Sequence, residues 1–481
     1  MNGYHYIGIV ITLAIFIAIS TYAGVRARRA RLQSAGPPKT GSMIIAGAIM
    51  GTLVGGSSTV GTAQLAYQYG LSAWWFTLGG GIGCLILALG FVRPLRESTS
   101  LTLVGIVANE YGRTPGLLAT IMSAVGIFIN ILSQLLASAA AILVIAPAFG
   151  MMPALIASAA LMFVYVAFGG IRGAGMVGVL KLILLYFTVA FCAVTVLIMH
   201  KGELSVIFEY LKTNPNKSGE MNWGLFSRGI GMDVGAGLSL IFGVLTTQTY
   251  GQAVMSGKNE RSAKIGALVS AVMIPPVGIC GILVGLYMRT QPLAAGVDES
   301  QAALTALTEF IRLYVPPVLG GAMLATLIFA AVGTGAGLAL GISMMINTDI
   351  IKDTLNKKLD PKKEFRFLQL WIASVLVVGV LLSALLGKEA IQSFAYMSMG
   401  LRGSVMLLPL ALALFAKGKV NHNAILVSVI TAPIVVAVIG MIPPLKNLIP
   451  FDGLFAGIAL SLVICAIGFV KGKERLGDDL Q

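Results

Sequence analysis

The sequence predicts an all-α polytopic membrane protein with 13 transmembrane helices, on three observations. The chain is 57% hydrophobic and 11% charged with mean hydropathy +0.91, whereas soluble domains carry about 25% charged residues. Apolar runs long enough to cross a hydrocarbon core of ~30 Å recur along its whole length. Basic residues gather in alternate connections between those runs.

The first span is expected near residues 4–25 and the next ten near 42–66, 72–92, 114–146, 153–168, 176–199, 231–255, 265–289, 318–348, 367–387 and 389–416. Two more follow near 422–443 and 452–470. Alternate connections on one side hold Arg26, Arg28, Arg29, Arg31, Lys39, Arg93, Arg96, Arg113 and Arg172. The same side continues with Lys258, Arg261, Lys264, six more between Lys352 and Arg366, Lys417, Lys419 and a basic C-terminus. That is 23 basic residues against 8 on the other side, with only Lys181 and Arg402 inside spans. By the positive-inside rule the richer side is cytoplasmic, so the N-terminus is expected outside and the C-terminus in the cytoplasm of a cell-membrane protein. The formal charge of +14 is therefore a topology signal, and no basic domain points to nucleic acid.

The first run has no basic residue ahead of it and an arginine cluster behind it, as suits an uncleaved anchor rather than a signal peptide. The connections at 200–230 and 290–317 are expected as modest loops, and the eleven residues after Val470 as a short tail without a signalling domain. Cys84, Cys192, Cys280 and Cys465 all lie in apolar runs without metal or redox spacing, so they read as buried apolar residues. His5, His200 and His422 lie at span edges. A His-based metal centre is not expected.

Two spans are interrupted. The second holds Gly51, Gly55, Gly56, Ser57, Ser58, Thr59 and Gly61 within eleven residues. Glycine weakens a helix interior, and small hydroxyl residues rebond the freed backbone; close packing through small residues is the competing explanation. In the span at 231–255, Thr246, Thr247, Gln248, Thr249, Tyr250, Gly251 and Gln252 break the apolar run. With the N-terminal anchor set aside these are the first and sixth core helices. Interrupted helices at matching places in two halves point to an inverted-repeat transporter with its solute site at the midplane.

The stretch GTLVGGSSTVGTAQLAYQYGLSAWWFTLGGGIG (51–83) resembles the sodium/solute symporter family, as do TYGQAVMSGKNERSAKIGALV (249–269), the FGGIR turn (168–172) and MINTDIIKD (345–353). The resemblance covers most of the chain, in family order. It implies a leucine-transporter-type five-plus-five inverted repeat with discontinuous first and sixth core helices, coupling solute uptake to sodium. The expected organisation is an anchor and cytoplasmic loop (1–41), a first repeat (42–199), an external loop (200–230), a second repeat (231–416), and two peripheral helices with a tail (417–481).

The same resemblance places the family's sodium ligands on the carbonyls of Gly51 and Val54 and on Ala330, Gly333 and Thr334. The family usually has Ser or Thr twice where this chain has Gly333 and then Thr334, so one hydroxyl is missing. On the fifth core helix the family pattern Trp-Thr-Asp-x-x-Gln falls on Met176, Val177, Gly178, Val179, Leu180 and Lys181. The aspartate is replaced by Gly178 and the glutamine by Lys181, three residues apart on one helical face. An intramembrane lysine is functional by default. Its three donors suit an oxygen-lined seat, and burial makes its charge costly to keep. The expectation is that Lys181 substitutes for sodium, giving proton-coupled or sodium-independent transport, as similar lysines do in some members of the leucine-transporter-like fold. Snorkelling is the competing explanation, since Lys181 lies about 8 Å from the inner end of its span. A conventional sodium symporter using Gly51, Val54, Ala330 and Thr334 is the alternative.

Candidate solute ligands beside the two breaks are Ser57, Ser58, Gln64, Thr247 and Gln248. Arg402 lies about halfway along its span, where the family usually has a small residue. A guanidinium fork there suits a carboxylate solute, or it bonds carbonyls of a neighbouring broken helix. A channel would need a filter ring, which is absent from the sequence; an enzyme would need carboxylates or histidines deep in the membrane. The expected partners are a small-molecule solute and the lipid bilayer, with no nucleic acid, no obligate protein partner and no cofactor beyond the coupling proton or sodium.

Overall fold

The computed structural model describes residues 1–31, 40–98, 100, 102–213, 224–293, 296–347, 361–386, 390–441 and 451–469. The side chains of 17, 19–31, 167–179, 361–362, 365 and 441 lie outside that description, as do residues 348–353 of the MINTDIIKD stretch. Apart from the breaks at 54–59 and Thr247, the described apolar runs are helical. In order these are α1 (Gly3–Arg31), α2 (Ser42–Leu53), α3 (Val60–Tyr69), α4 (Trp75–Ile86), α5 (Val92–Glu97), α6 (Leu103–Tyr111) and α7 (Arg113–Ile145). Next come α8 (Met151–Met199), α9 (Ser205–Thr213), α10 (Ile230–Thr246), α11 (Gln248–Met255), α12 (Glu260–Thr290) and α13 (Glu299–Tyr314). The last are α14 (Pro317–Met345), α15 (Pro361–Leu386), α16 (Ile391–Phe415), α17 (His422–Met441) and α18 (Gly453–Ile467).

Among the described residues eight helices are long and apolar enough to cross a membrane, and the bent pair α10–α11 makes a ninth. Position in the bundle follows burial. The most apolar stretch of α7 is 83% buried by protein and that of α15 only 28%, which makes α7 a central strut and α15 a peripheral one. α7 packs along both α14 and α16, and α1 lies on α14 and α8.

Three expectations need correction. The connection at 200–230 carries α9, and the one at 290–317 carries the 16-residue α13. The α13 helix forms because Asp298 caps it, accepting from the Gln301 amide, and because its apolar stripe, including Leu304, Leu307 and Ile311, is buried against the bundle. The spans near 153–168 and 176–199, expected to be divided by the FGGIR turn, belong to one 49-residue helical element, α8. It is not straight. Met162 packs on Gly335 and Lys181 bonds Thr334, although 19 residues of straight helix would extend ~28 Å.

Proline also shapes the bundle. Pro275 in α12 has no amide to offer the carbonyl of Ala271. Gly81 of α4 lies against that carbonyl and the proline ring, where a Cβ would not fit. Trp74 and Thr77 donate to the Pro275 carbonyl at 3.0 and 3.4 Å, fastening α4 to α12.

Candidate functional site: two helix breaks and two buried cations

The second span is broken as its sequence suggests. α2 ends at Leu53, with Val54 extended at φ −88°, ψ 93°, and α3 begins at Val60. Local side chains replace the lost helical bonds. The Ser58 hydroxyl accepts from the Gly55 amide and donates to the Gly55 carbonyl, and the Thr59 hydroxyl donates to the same carbonyl. Two neighbouring helices complete the repair. Gln134 of α7 accepts from the Gly56 amide at 3.0 Å and donates to Ser57 Oγ at 2.9 Å. Ser133 bonds the same Ser57 hydroxyl, and Gln392 of α16 donates to Thr62 Oγ1 and to the Ser57 carbonyl. Glycine is required here by proximity: a methyl at Gly56 would run into Ala137, and a Cβ at Gly55 would stand 2.8 Å from Thr334 Oγ1.

Lys181 reaches into this region from α8. Its Nζ donates to the Gly51 carbonyl at 3.0 Å and to Thr334 Oγ1 at 2.6 Å. The Thr334 hydroxyl in turn donates to the Ala330 carbonyl at 2.9 Å. The lysine is 5% exposed, so the side chain is folded into the protein and does not extend to water as snorkelling requires. Of the six residues expected around a cation seat, Lys181, Gly51, Thr334 and Ala330 are joined in one hydrogen-bonded chain. Val54 terminates α2 beside it, and its own amide bonds Met50. A side chain at Gly333 would face the Tyr165 ring at 3.6 Å. Gly178 lies outside the described side chains.

The second break is simpler. Thr247 is extended at φ −78°, ψ 120° between α10 and α11, which meet at 46°. Its hydroxyl donates to the Gly243 carbonyl at 2.5 Å and accepts from Arg402 Nη1 at 2.9 Å. Arg402 is 3% exposed. Its Nε donates to the Ser398 carbonyl, and Nη2 donates to Ser398 Oγ and Met399 Sδ. The arginine therefore touches the neighbouring broken helix through a hydroxyl, and the carbonyl it bonds belongs to its own helix.

The other expected solute ligands are engaged elsewhere. Ser57 and Ser58 serve the first break. Gln64 accepts from the Ile391 amide at the start of α16, and Gln248 accepts from the Leu103 amide at the start of α6, leaving Nε2 buried without a partner. Among the described residues neither Lys181 nor Arg402 has a carboxylate partner. The fully buried Asp233 is matched by Arg228 at 2.6 Å, and Arg228 also lies over the Tyr396 ring. Sequence reasoning missed Asn130, Ser133, Gln134 and Gln392. Their signal was a lone polar residue in an apolar run, which also fits a helix-packing contact.

Comparison with known proteins agrees with this architecture. A sialic acid symporter described as Na+-coupled, solved substrate-bound and outward-open, superposes with a TM-score of 0.75 at 17% identity, covering 98% of this chain and 100% of that one. A nucleobase-cation-symport-1 family transporter in a closed conformation gives 0.54 at 13% identity over 91% and 95% of the two chains. These two establish the fold. The high-affinity choline transporter 1 of Caenorhabditis elegans is 25% identical over 297 residues, 59% of this chain; the match spans half the length of that relative. The sequence profile of the Sodium:solute symporter family matches residues 36–432. The chain belongs to the sodium:solute symporter family.

Proposed function

We propose that this transporter imports a small anionic solute by alternating access, and that Lys181 stands in for sodium, so that transport is proton-coupled or sodium-independent. The observation carrying the reading is the pair of bonds from Lys181 Nζ to the Gly51 carbonyl and Thr334 Oγ1. A sodium ion there would need these same hard oxygens, already turned toward an ammonium, and would meet its positive charge. The missing hydroxyl at Gly333 and the missing carboxylate at Gly178 remove further ligands. We read the bundle as thirteen spans in the five-plus-five arrangement, with breaks at α2–α3 and α10–α11, the N-terminus outside and the C-terminus cytoplasmic.

The anionic solute rests on charge balance. Two buried cations without a carboxylate partner among the described residues favour an anion between the breaks and disfavour a cation such as choline. Sialic acid, carried by the symporter of like fold, is itself an acid.

The alternative is a conventional sodium symporter using Gly51, Val54, Ala330 and Thr334, favoured by the Na+ coupling named for that structure. Uptake into proteoliposomes, with sodium and proton gradients imposed separately, decides between them. Uptake that persists without sodium and rises with an inward proton gradient supports the lysine reading. Strict dependence on sodium, unchanged in Lys181→Gln, would falsify it.

A further inference from the structure

We propose that Tyr165 is a positioning residue of the ammonium seat, its phenol hydroxyl taking the third N–H of Lys181 through one bridging water. The inference rests on the lysine reading above and adds a residue, from the half of α8 before its bend, to that seat.

Helix α8 meets one short stretch of α14 from both sides of the bend. Before it, Met162 packs on Gly335 and the Tyr165 side chain lies over Gly333; after it, Lys181 bonds Thr334, between those two glycines. The Tyr165 hydroxyl stands 3.6 Å from where a Cβ on Gly333 would be, so the glycine leaves the phenol facing bare backbone beside Thr334. The ring is held from behind. It meets Phe329 edge-on at 6.3 Å, and Phe329, one turn from Gly333 on the same face, stacks on Phe16 of α1 at 4.2 Å. Phe16 is fully buried, so the anchor helix backs the phenol against α14.

Hydrogen-bond accounting points to the contact. An ammonium has three N–H groups and no acceptor. Lys181 gives one to the Gly51 carbonyl and one to Thr334 Oγ1, and the Thr334 proton goes to the Ala330 carbonyl. One ammonium N–H is left over. The Tyr165 hydroxyl makes no hydrogen bond to a described residue, and it is not one of the sealed polar atoms of the interior, so it keeps surface that a water can reach. A spare donor and a spare hydroxyl therefore flank neighbouring residues of α14. Polar groups beyond direct bonding distance are joined by water with little loss of enthalpy, and a bond to a charged group is stronger than one between neutral groups. Packing against Phe329 uses the ring alone, for which phenylalanine would serve as well. The hydroxyl is what the seat requires.

The test is a double-mutant cycle read by thermal unfolding of the detergent-solubilised full chain. Tyr165→Phe is expected to lower the unfolding midpoint at least about 3-fold more in the protein with Lys181 than in Lys181→Met. Gly333→Ser, which returns a hydroxyl to the same place from α14, is expected to recover at least about half of the drop in Tyr165→Phe, and Gly333→Ala to recover none of it. Equal drops with and without the lysine overturn the proposal, as does equal recovery by alanine and serine. The comparison of serine with alanine needs no lysine variant, so the test stands if Lys181→Met does not fold. Sodium-dependent uptake unchanged in Lys181→Gln would remove the lysine reading itself, a separate outcome, because the cycle reads the contact without transport.

Discussion

At the first helix break a lysine from α8 donates to a backbone carbonyl of α2 and a hydroxyl of α14; at the second, an arginine from α16 donates to the Thr247 hydroxyl and otherwise to its own helix. Both cations are buried, and neither meets a carboxylate among the described residues, yet their surroundings differ. Lys181 satisfies the Gly51 carbonyl, which the break leaves without its helical donor, and the Thr334 hydroxyl of α14. Removing it would leave the part-buried Gly51 carbonyl without this donor. Arg402 meets a threonine whose own proton already goes to Gly243, so the second break is largely satisfied before the arginine arrives. On the reading proposed above, the contrast separates a cation that completes the fold from one whose charge is offered to an anionic solute.

The largest test of this contrast is Lys181→Met. It removes the lysine's charge-assisted hydrogen bonds to the Gly51 carbonyl and Thr334, for which about 1–3 kcal/mol of stability is expected to be lost. It should also cut proton-driven uptake by at least about 10-fold, equivalent to one lost interaction of ~1.4 kcal/mol. Thermal unfolding in detergent and proteoliposome uptake read the two effects. Arg402→Gln should do the reverse, lowering affinity for anionic solutes by roughly 30-fold or more with less change in the unfolding midpoint than the lysine variant. Equal destabilisation by the two substitutions would erase the distinction.

Two glycines of the first break sharpen it further. Gly56→Ala drives a methyl into Ala137 and should cost about 1–3 kcal/mol. Gly51→Ala meets no atom within 4 Å and leaves the lysine's carbonyl acceptor in place. It should change stability by less than about 1 kcal/mol and preserve uptake. If Gly51→Ala abolishes uptake while the protein stays folded, the open side of Gly51 serves transport in a way the lysine contact does not explain.

Much of this was legible in the chain because it is written locally. Glycines and hydroxyl residues crowded into eleven positions mark the first break, and the polar run from Thr246 to Gln252 marks the second. Lys181 and Arg402 stood out as ions in apolar runs. The repair of the first break was not legible. Gln134 and Gln392 reach it from 78 and 335 residues away, and which way an isolated amide points is decided by helix packing. The α13 helix is a different case. Asp298, followed by apolar residues at helical spacing, was a readable start signal inside a segment taken for a loop. The continuity of α8 had no such signal, because paired glycines in FGGIR ordinarily mark a stop.

Gly333 carries a last consequence. A Cβ there would rest 3.6 Å from the Tyr165 ring, an ordinary contact, so bulk does not forbid serine at this position. The vanished hydroxyl is therefore not a steric by-product. On the lysine reading proposed above, a serine there would not by itself make a cation seat, because the ammonium would still hold the Gly51 carbonyl and Thr334 Oγ1.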